Sequence, residues 1–198
     1  FLGLIGFLIV GFSSYKISRS RLRYESWYFV HLIVYLAVLG SFFHQTDIGS
    51  DFLANSVFKN YWLALYLFVF IQTIFFRFGR PLYNFQRFQF TVDHVERETK
   101  SVTSVYITGK DLFLFNVKPG QFMIFRFLTK GMWWQAHPFS LSWVIKENKL
   151  RISVKELGDF TKQISTLKPG TKVIIDGPYG VFTDKVLVST KVLLIAGG

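Results

Sequence analysis

The 198-residue chain contains no cysteine. Disulfides, thiolate-bound zinc and a cysteine-ligated iron–sulfur cluster are therefore excluded within these residues, and the absence fits a reducing compartment. Acidic residues are scarce, 12 against 23 Lys and Arg, which leaves a net charge of +11. Charge of either sign is missing altogether from two long stretches, Trp27 to His44 and Tyr61 to Phe76. A chain that is 51% hydrophobic and 19% aromatic is too apolar for an ordinary soluble domain. Most of the long apolar runs lie before Phe78, whereas turns and short alternating runs follow it. The expected division is a membrane part over 1–80 and a soluble domain over 81–186, with the boundary near Arg80-Pro81.

The two charge-free stretches approach the length of about 20 residues that a membrane helix needs. Trp27, Tyr28, Tyr61 and Trp62 stand where such helices would cross the headgroup region. Spans are expected over 27–44 and 61–78, with a partial one over 1–12; two buried helices of a soluble bundle are the competing reading. The opening run Phe1 to Val10 lacks the basic flank and cleavage site of a signal peptide and reads as the remainder of a longer helix. Lys16, Arg19, Arg21 and Arg23 precede the first full span, and Arg77, Arg80 and Arg87 follow the second, whereas Gln45 to Asn60 offers only Asp47, Asp51 and Lys59. By the positive-inside rule the basic connections and the soluble domain are cytosolic. Membrane lipid then accounts for much of the positive charge, and nucleic acid is not needed as a partner.

Two ionisable side chains, His31 and His44, lie on the first full span. Such residues are costly in a membrane and are usually retained for function. Thirteen helical steps rise about 20 Å, a spacing suited to two redox centres stacked across a bilayer, and histidine is a common axial ligand of haem iron. The same steps leave the side chains about 140° apart, so a kink or a π-turn would be needed to bring them to one face. Alternatively His44 is an interfacial residue and His31 a helix-packing hydrogen bonder.

The soluble half shows six strand-like runs: Phe88 to Val95, Val102 to Thr108, Gln121 to Phe127, Phe139 to Val144, Leu150 to Val154 and Lys172 to Ile175. Turn signals at Lys118-Pro-Gly120, Lys146-Glu-Asn148 and Lys168-Pro-Gly170 separate them, predicting a small six-stranded antiparallel β-barrel. A helix is predicted over Phe160 to Leu167 behind Gly158 and a capping Asp159, an arrangement whose backbone N–H groups can hold a pyrophosphate. Lys155 stands beside it to meet phosphate charge. His137-Pro138-Phe139-Ser140 presents an imidazole, an aromatic ring and a hydroxyl within four residues, which suits a flavin. Read singly, His137 is more simply a turn histidine held by Pro138, and Lys155 and the hydroxyls solvated strand residues.

The order Gly120-Gln-Phe122, His137-Pro-Phe-Ser140, Lys155-x-x-Gly158-x-x-Thr161, Asp176-Gly-Pro-Tyr-Gly180 and Lys191 to Gly198 resembles the ferredoxin-reductase-like flavoproteins. With membrane helices and two histidines ahead of it, the chain is similar to the ferric reductase and NADPH oxidase family. The resemblance implies FAD contacts for His137, Pro138, Phe139 and Ser140, with Ser140 near the reacting atom, and pyrophosphate contacts for Lys155, Gly158 and Thr161. It implies haem b ligation by His31 and His44, whose second axial ligands would come from a helix not among these residues. It also implies that 187–198 begin an NAD(P)-binding domain, with Gly197 and Gly198 in its nucleotide-binding turn. The expected activity is electron transfer from NAD(P)H through FAD and two haems to an outside acceptor, dioxygen or ferric iron. The competing functions are a membrane-tethered flavin reductase serving a cytosolic partner, and a non-catalytic membrane-anchored binding module.

Overall fold

A computed structural model describes residues 2–15, 24–48 and 54–183. The chain divides into two units, Phe1–Thr73 and Ile74–Gly198. The first holds α1 (Leu2–Ser14), α2 (Tyr24–Ile48) and α3 (Ser56–Ile74). Small residues let α1 lie close against α2. A Cβ added at Gly6 would stand 2.7 Å from the Ala37 Cβ, and one added at Gly3 would strike the Ser41 hydroxyl. The expected spans 27–44 and 61–78 fall on α2 and on α3 with its continuation. Among the described residues one helical run, Ser56–Phe88, is long and apolar enough to cross a membrane, and its most apolar stretch is not buried. The described apolar stretches Gly3–Ser14 and Ser26–Phe42 are shorter. No π-turn interrupts α2 between His31 and His44. The π-helical segment is Phe75–Gly79 instead, after α3.

The second unit begins with that segment and α4 (Arg80–Phe88); Pro81, near the start of α4, lacks the N–H that would continue the helical ladder, and the π-helical turn directly precedes it. Seven strands follow: β1 (Thr91–Arg97), β2 (Val102–Thr108), β3 (Phe122–Phe127), β4 (His137–Ser140), β5 (Trp143–Lys146), β6 (Lys149–Lys155) and β7 (Val173–Tyr179), with α5 (Asp159–Gln163) between the last two. Alternation with a period of two turns Val105 and Ile107, Met123, Phe125 and Phe127, Leu150, Ile152 and Val154, and Val173 and Ile175 into one fully buried core.

The expected closed six-stranded barrel is not what forms. The strands make two antiparallel sheets, β1-β2-β6-β5 and β4-β3-β7. The predicted run Phe139 to Val144 is really two strands in different sheets. The chain leaves one sheet at Ser140 and enters the other at Trp143, so Leu141 and Ser142 form a corner rather than a ladder. At the opposite seam β1 and β7 approach through a Thr91–Lys172 bridge and bonds such as Val92 N–H to Thr171 O (2.8 Å) and Val173 N–H to Phe90 O (2.9 Å). The β4/β5 seam has no strand pairing among the described residues, and both flavin-type motifs lie beside it.

Candidate functional site

On the three-stranded sheet Ser140 pairs with Phe122, and Phe122 pairs with Tyr179, their rings 5.8 Å apart. The Gln121 amide donates to Gly180 O at 3.1 Å. Three segments singled out in the sequence, Gly120 to Phe122, His137 to Ser140 and Asp176 to Gly180, are thus brought into one row. β4 alternates: His137 and Phe139 are half-buried and turned toward the core, whereas Pro138 and Ser140 are exposed. The ring and the hydroxyl of the motif therefore belong to opposite sides of the strand.

The second motif meets the first through a residue that sequence reasoning passed over. Phe160 is 5% exposed, and the His137 imidazole stacks on its ring at 3.8 Å with an interplanar angle of 29°. Phe139 and Phe127 lie 6.5 Å from the same ring. Gln135 holds His137 from a second side, with 3.3 Å between the amide oxygen and Nε2. An apolar residue inside the polar turn Gly158-Asp-Phe-Thr161 was the available signal for Phe160.

The turn itself differs from the expectation. Gly158 is the N-cap and Asp159 is already helical, so the aspartate does not cap. The Thr161 hydroxyl takes over: its oxygen accepts from the Leu157 and Gly158 N–H groups, each at 2.9 Å, and it donates to Gly158 O at 3.0 Å. A Cβ placed on Gly158 would meet nothing within 4 Å, so the turn is open on that side. Lys155 ends β6 and is exposed. Exposed Ser140 and Lys155, the open turn at Gly158 and the half-buried imidazole are groups that fit a long, polar, phosphate-bearing ligand with a flat ring system.

In α2 His31 is half-buried, its ring tilted at 35° against Trp27 with centroids 4.5 Å apart, and its Nδ1 lies 3.4 Å from the Ser14 hydroxyl of α1. His44 lies in the same helix, but its side chain falls outside the described residues, as do Gly197 and Gly198 altogether. No group of three or more His, Cys, Asp or Glu side chains gathers among the described residues.

Several charged and polar groups elsewhere in the unit have defined partners. Asp93 accepts from Lys149 Nζ and lies against His94 Nδ1, both at 2.7 Å; these bonds, that from Lys149 first, hold its carboxyl below the ordinary value. Burial, helped by a 2.8 Å hydrogen bond to Asp176, pushes the Tyr179 phenol up to about 12. Burial and the neighbouring Arg77 guanidinium lower Arg126. Across the outer face of the four-stranded sheet, His94, Tyr106, Arg151 and Trp143 pair in register, with His94 stacked on Tyr106 at 4.2 Å. They border a cup of about 180 Å³, also lined by Lys149 and Glu147, that contains none of the flavin-motif residues.

Residues 85–183 match the model of an FAD-binding domain. The chain is 33% identical over 122 residues to a flavohemoprotein of Candida norvegensis, covering 55% of this chain and 30% of that protein. It is 36% identical over 92 residues to ferric reductase transmembrane component 3 of Saccharomyces cerevisiae, covering 43% and 13%. Among solved structures it is similar to the FAD/NAD-binding domain of a nitric oxide dioxygenase from Vibrio cholerae, with a TM-score of 0.39 and 25% identity over 48% of this chain and 44% of that one. The chain thus spans less than a third of either curated relative.

Proposed function

Because the chain belongs to the FAD-binding domain family, we propose that its second unit holds FAD along the β4/β5 seam of a ferric-reductase-type flavin oxidoreductase. The observation that carries this reading is the His137–Phe160 stack, which joins the two motifs into one surface. In it Ser140 offers its hydroxyl to the reacting end of the flavin beside Pro138 on the exposed side of β4, while Phe139 and His137, half-buried on the other side, meet the ligand through their exposed edges, His137 at the chain that follows the ring system. Lys155 supplies charge to the pyrophosphate, and the Gly158–Thr161 turn, held by the Thr161 hydroxyl and open at Gly158, lies against it. Bound FAD supplies the ability to accept a hydride and to release electrons singly. The reduced nicotinamide nucleotide binds at a site opened by Gly197 and Gly198.

The first unit is embedded in lipid, with the flavin domain on the cytosolic side. His31 and His44 each give one axial ligand to a haem b, whose second ligand comes from outside this chain. The final acceptor is dioxygen or ferric iron. The His31–Ser14 contact favours a second reading, in which His31 only packs the helices and the flavin serves a cytosolic partner.

Flavin fluorescence titration of the 198-residue chain in detergent tests the FAD site. Saturable quenching is expected, and Ser140→Ala should weaken it by about 0.5–1.5 kcal/mol, the net worth of one hydrogen bond. An unquenched titration at high micromolar FAD on folded protein would reject the site. Haem content of the complete protein carrying His31→Leu or His44→Leu separates the two readings: full haem in both variants leaves the tethered reductase.

A further inference from the structure

We propose that Phe160 is the positioning residue of the flavin site, the part that sets the His137-Pro-Phe-Ser140 strand and the Gly158–Thr161 turn at one fixed separation. The proposal rests on the FAD reading above and adds a residue to it. Phe160 touches no cofactor atom in this scheme; it acts through the imidazole stacked on it.

Three observations converge. First, the two motifs belong to different parts of the fold: β4 is the edge of the three-stranded sheet, and the turn follows β6 of the four-stranded one. No backbone ladder joins β4 to that turn among the described residues, so their separation is left to side chains. Second, Phe160 reaches back from the turn and is met by rings from the other sheet: His137 at 3.8 Å, and Phe139 and Phe127 at 6.5 Å. Because β4 alternates, both of its inward residues, His137 and Phe139, face this one ring, while outward Pro138 and Ser140 are carried along at a fixed height. Third, the backbone flanking Phe160 is fixed from its other side. The Thr161 hydroxyl ties Leu157 and Gly158, so movement of the Phe160 ring carries the whole turn with it. A ligand that bridges an exposed Ser140 and an open Gly158 turn binds well only if that distance is set before it arrives, since ordering it on binding subtracts from affinity.

The test compares variants of the 198-residue chain in detergent, with FAD as the probe. Phe160→Leu keeps an apolar side chain but removes the flat face under His137, and it should weaken FAD at least tenfold. Phe160→Trp restores a flat face and should return to within threefold of the parent. Phe90→Leu, at a buried ring whose aromatic neighbours are Phe88 and Phe115, should stay within threefold even if it melts earlier. A double-mutant cycle of Phe160→Leu with His137→Ala should be strongly non-additive, because either change breaks the same stack. Equal FAD losses for Phe160→Leu and Phe90→Leu, or an additive cycle, would overturn the positioning role. Should Phe160→Leu not fold, Phe160→Met removes the same flat face at closer volume, and FAD binding at least tenfold weaker than the parent is expected there; binding within threefold of the parent would overturn the positioning role. A parent chain that does not bind FAD at all rejects the flavin reading itself.

Discussion

At the scale of single residues, the pair around Asp93 gives a pH-dependent contribution whose sign is fixed. Lys149 Nζ, and then His94, hold the carboxyl below its ordinary value. A depressed folded value means that the stabilisation is complete above the unfolded value of about 3.9 and is lost as pH falls through the folded one. Asp93 is 29% exposed and the pair is open to solvent, so its worth is about 0.2–1 kcal/mol. Asp93→Asn should lower the unfolding free energy from urea melts by that amount at pH 7 and by less at pH 2. A variant equally destabilised at both values would mean that packing, not charge, is lost. None of this could be read from the sequence, because Asp93 and Lys149 are neighbours only through the pairing of β1, β2 and β6. His137, Ser140, Lys155 and Thr161 were legible for the opposite reason: the groups a flavin needs cluster within short stretches of chain. Phe160 was not, since an inward phenylalanine in a turn looks like any core residue until its partner from the other sheet is known.

At the scale of elements, the turn before α5 shows how a cap can be misassigned by one step. Asp159 is the better-known capping residue, but Gly158 adopts the extended N-cap conformation and Thr161 answers it from inside the helix. Thr161→Ala should cost the unit about 1 kcal/mol, within the 0.5–2 range of lost caps, in urea melts without FAD. Asp159→Ala should change the same melts little. The reverse ranking would restore the aspartate as the cap. Strand periodicity identified the apolar positions correctly in five of the runs, and β2 runs over the predicted residues, Val102–Thr108. It failed at Phe139 to Val144 because alternation reports which side chains are apolar, not which neighbour the backbone pairs with. His137 and Phe139 and then Trp143 continue a plausible single pattern, while Leu141 and Ser142 turn the corner between sheets. That corner is also why the predicted closed barrel opens where the ligand is proposed to lie.

At the scale of the whole molecule, the composition break near Phe78 set the expected boundary near Arg80-Pro81, which gives α4 to the soluble part without saying what holds it there. Its side chains decide. Asn84 is buried, and its amide donates to Ile175 O and Gly177 O of β7, each at 3.4 Å. Phe88 is buried against Phe90 at 5.5 Å and Phe115 at 5.1 Å. Arg87 pairs with Asp111 at 3.0 Å, and Lys110 N–H donates to Phe88 O. The apolar residues just upstream are different: Phe75, Phe76 and Phe78 are each at least 50% exposed. Residues 80–183 expressed alone should therefore give a soluble, cooperatively unfolding domain, because the cut discards exposed rings and keeps the bonds of α4 to β7 and the packing of Phe88 in the core. Residues 90–183 lose the Phe88 ring, a core loss of about 3–5 kcal/mol, and leave β7 carbonyls without their donor at about 1–3 kcal/mol more. Against a total stability of about 5–15 kcal/mol, that is enough to abolish a cooperative transition or bring it close to zero denaturant. Urea unfolding followed by tryptophan fluorescence, with dispersion of amide resonances as a second readout, distinguishes the two fragments. Equal midpoints would show that α4 merely connects the units, and that the flavin domain begins at β1.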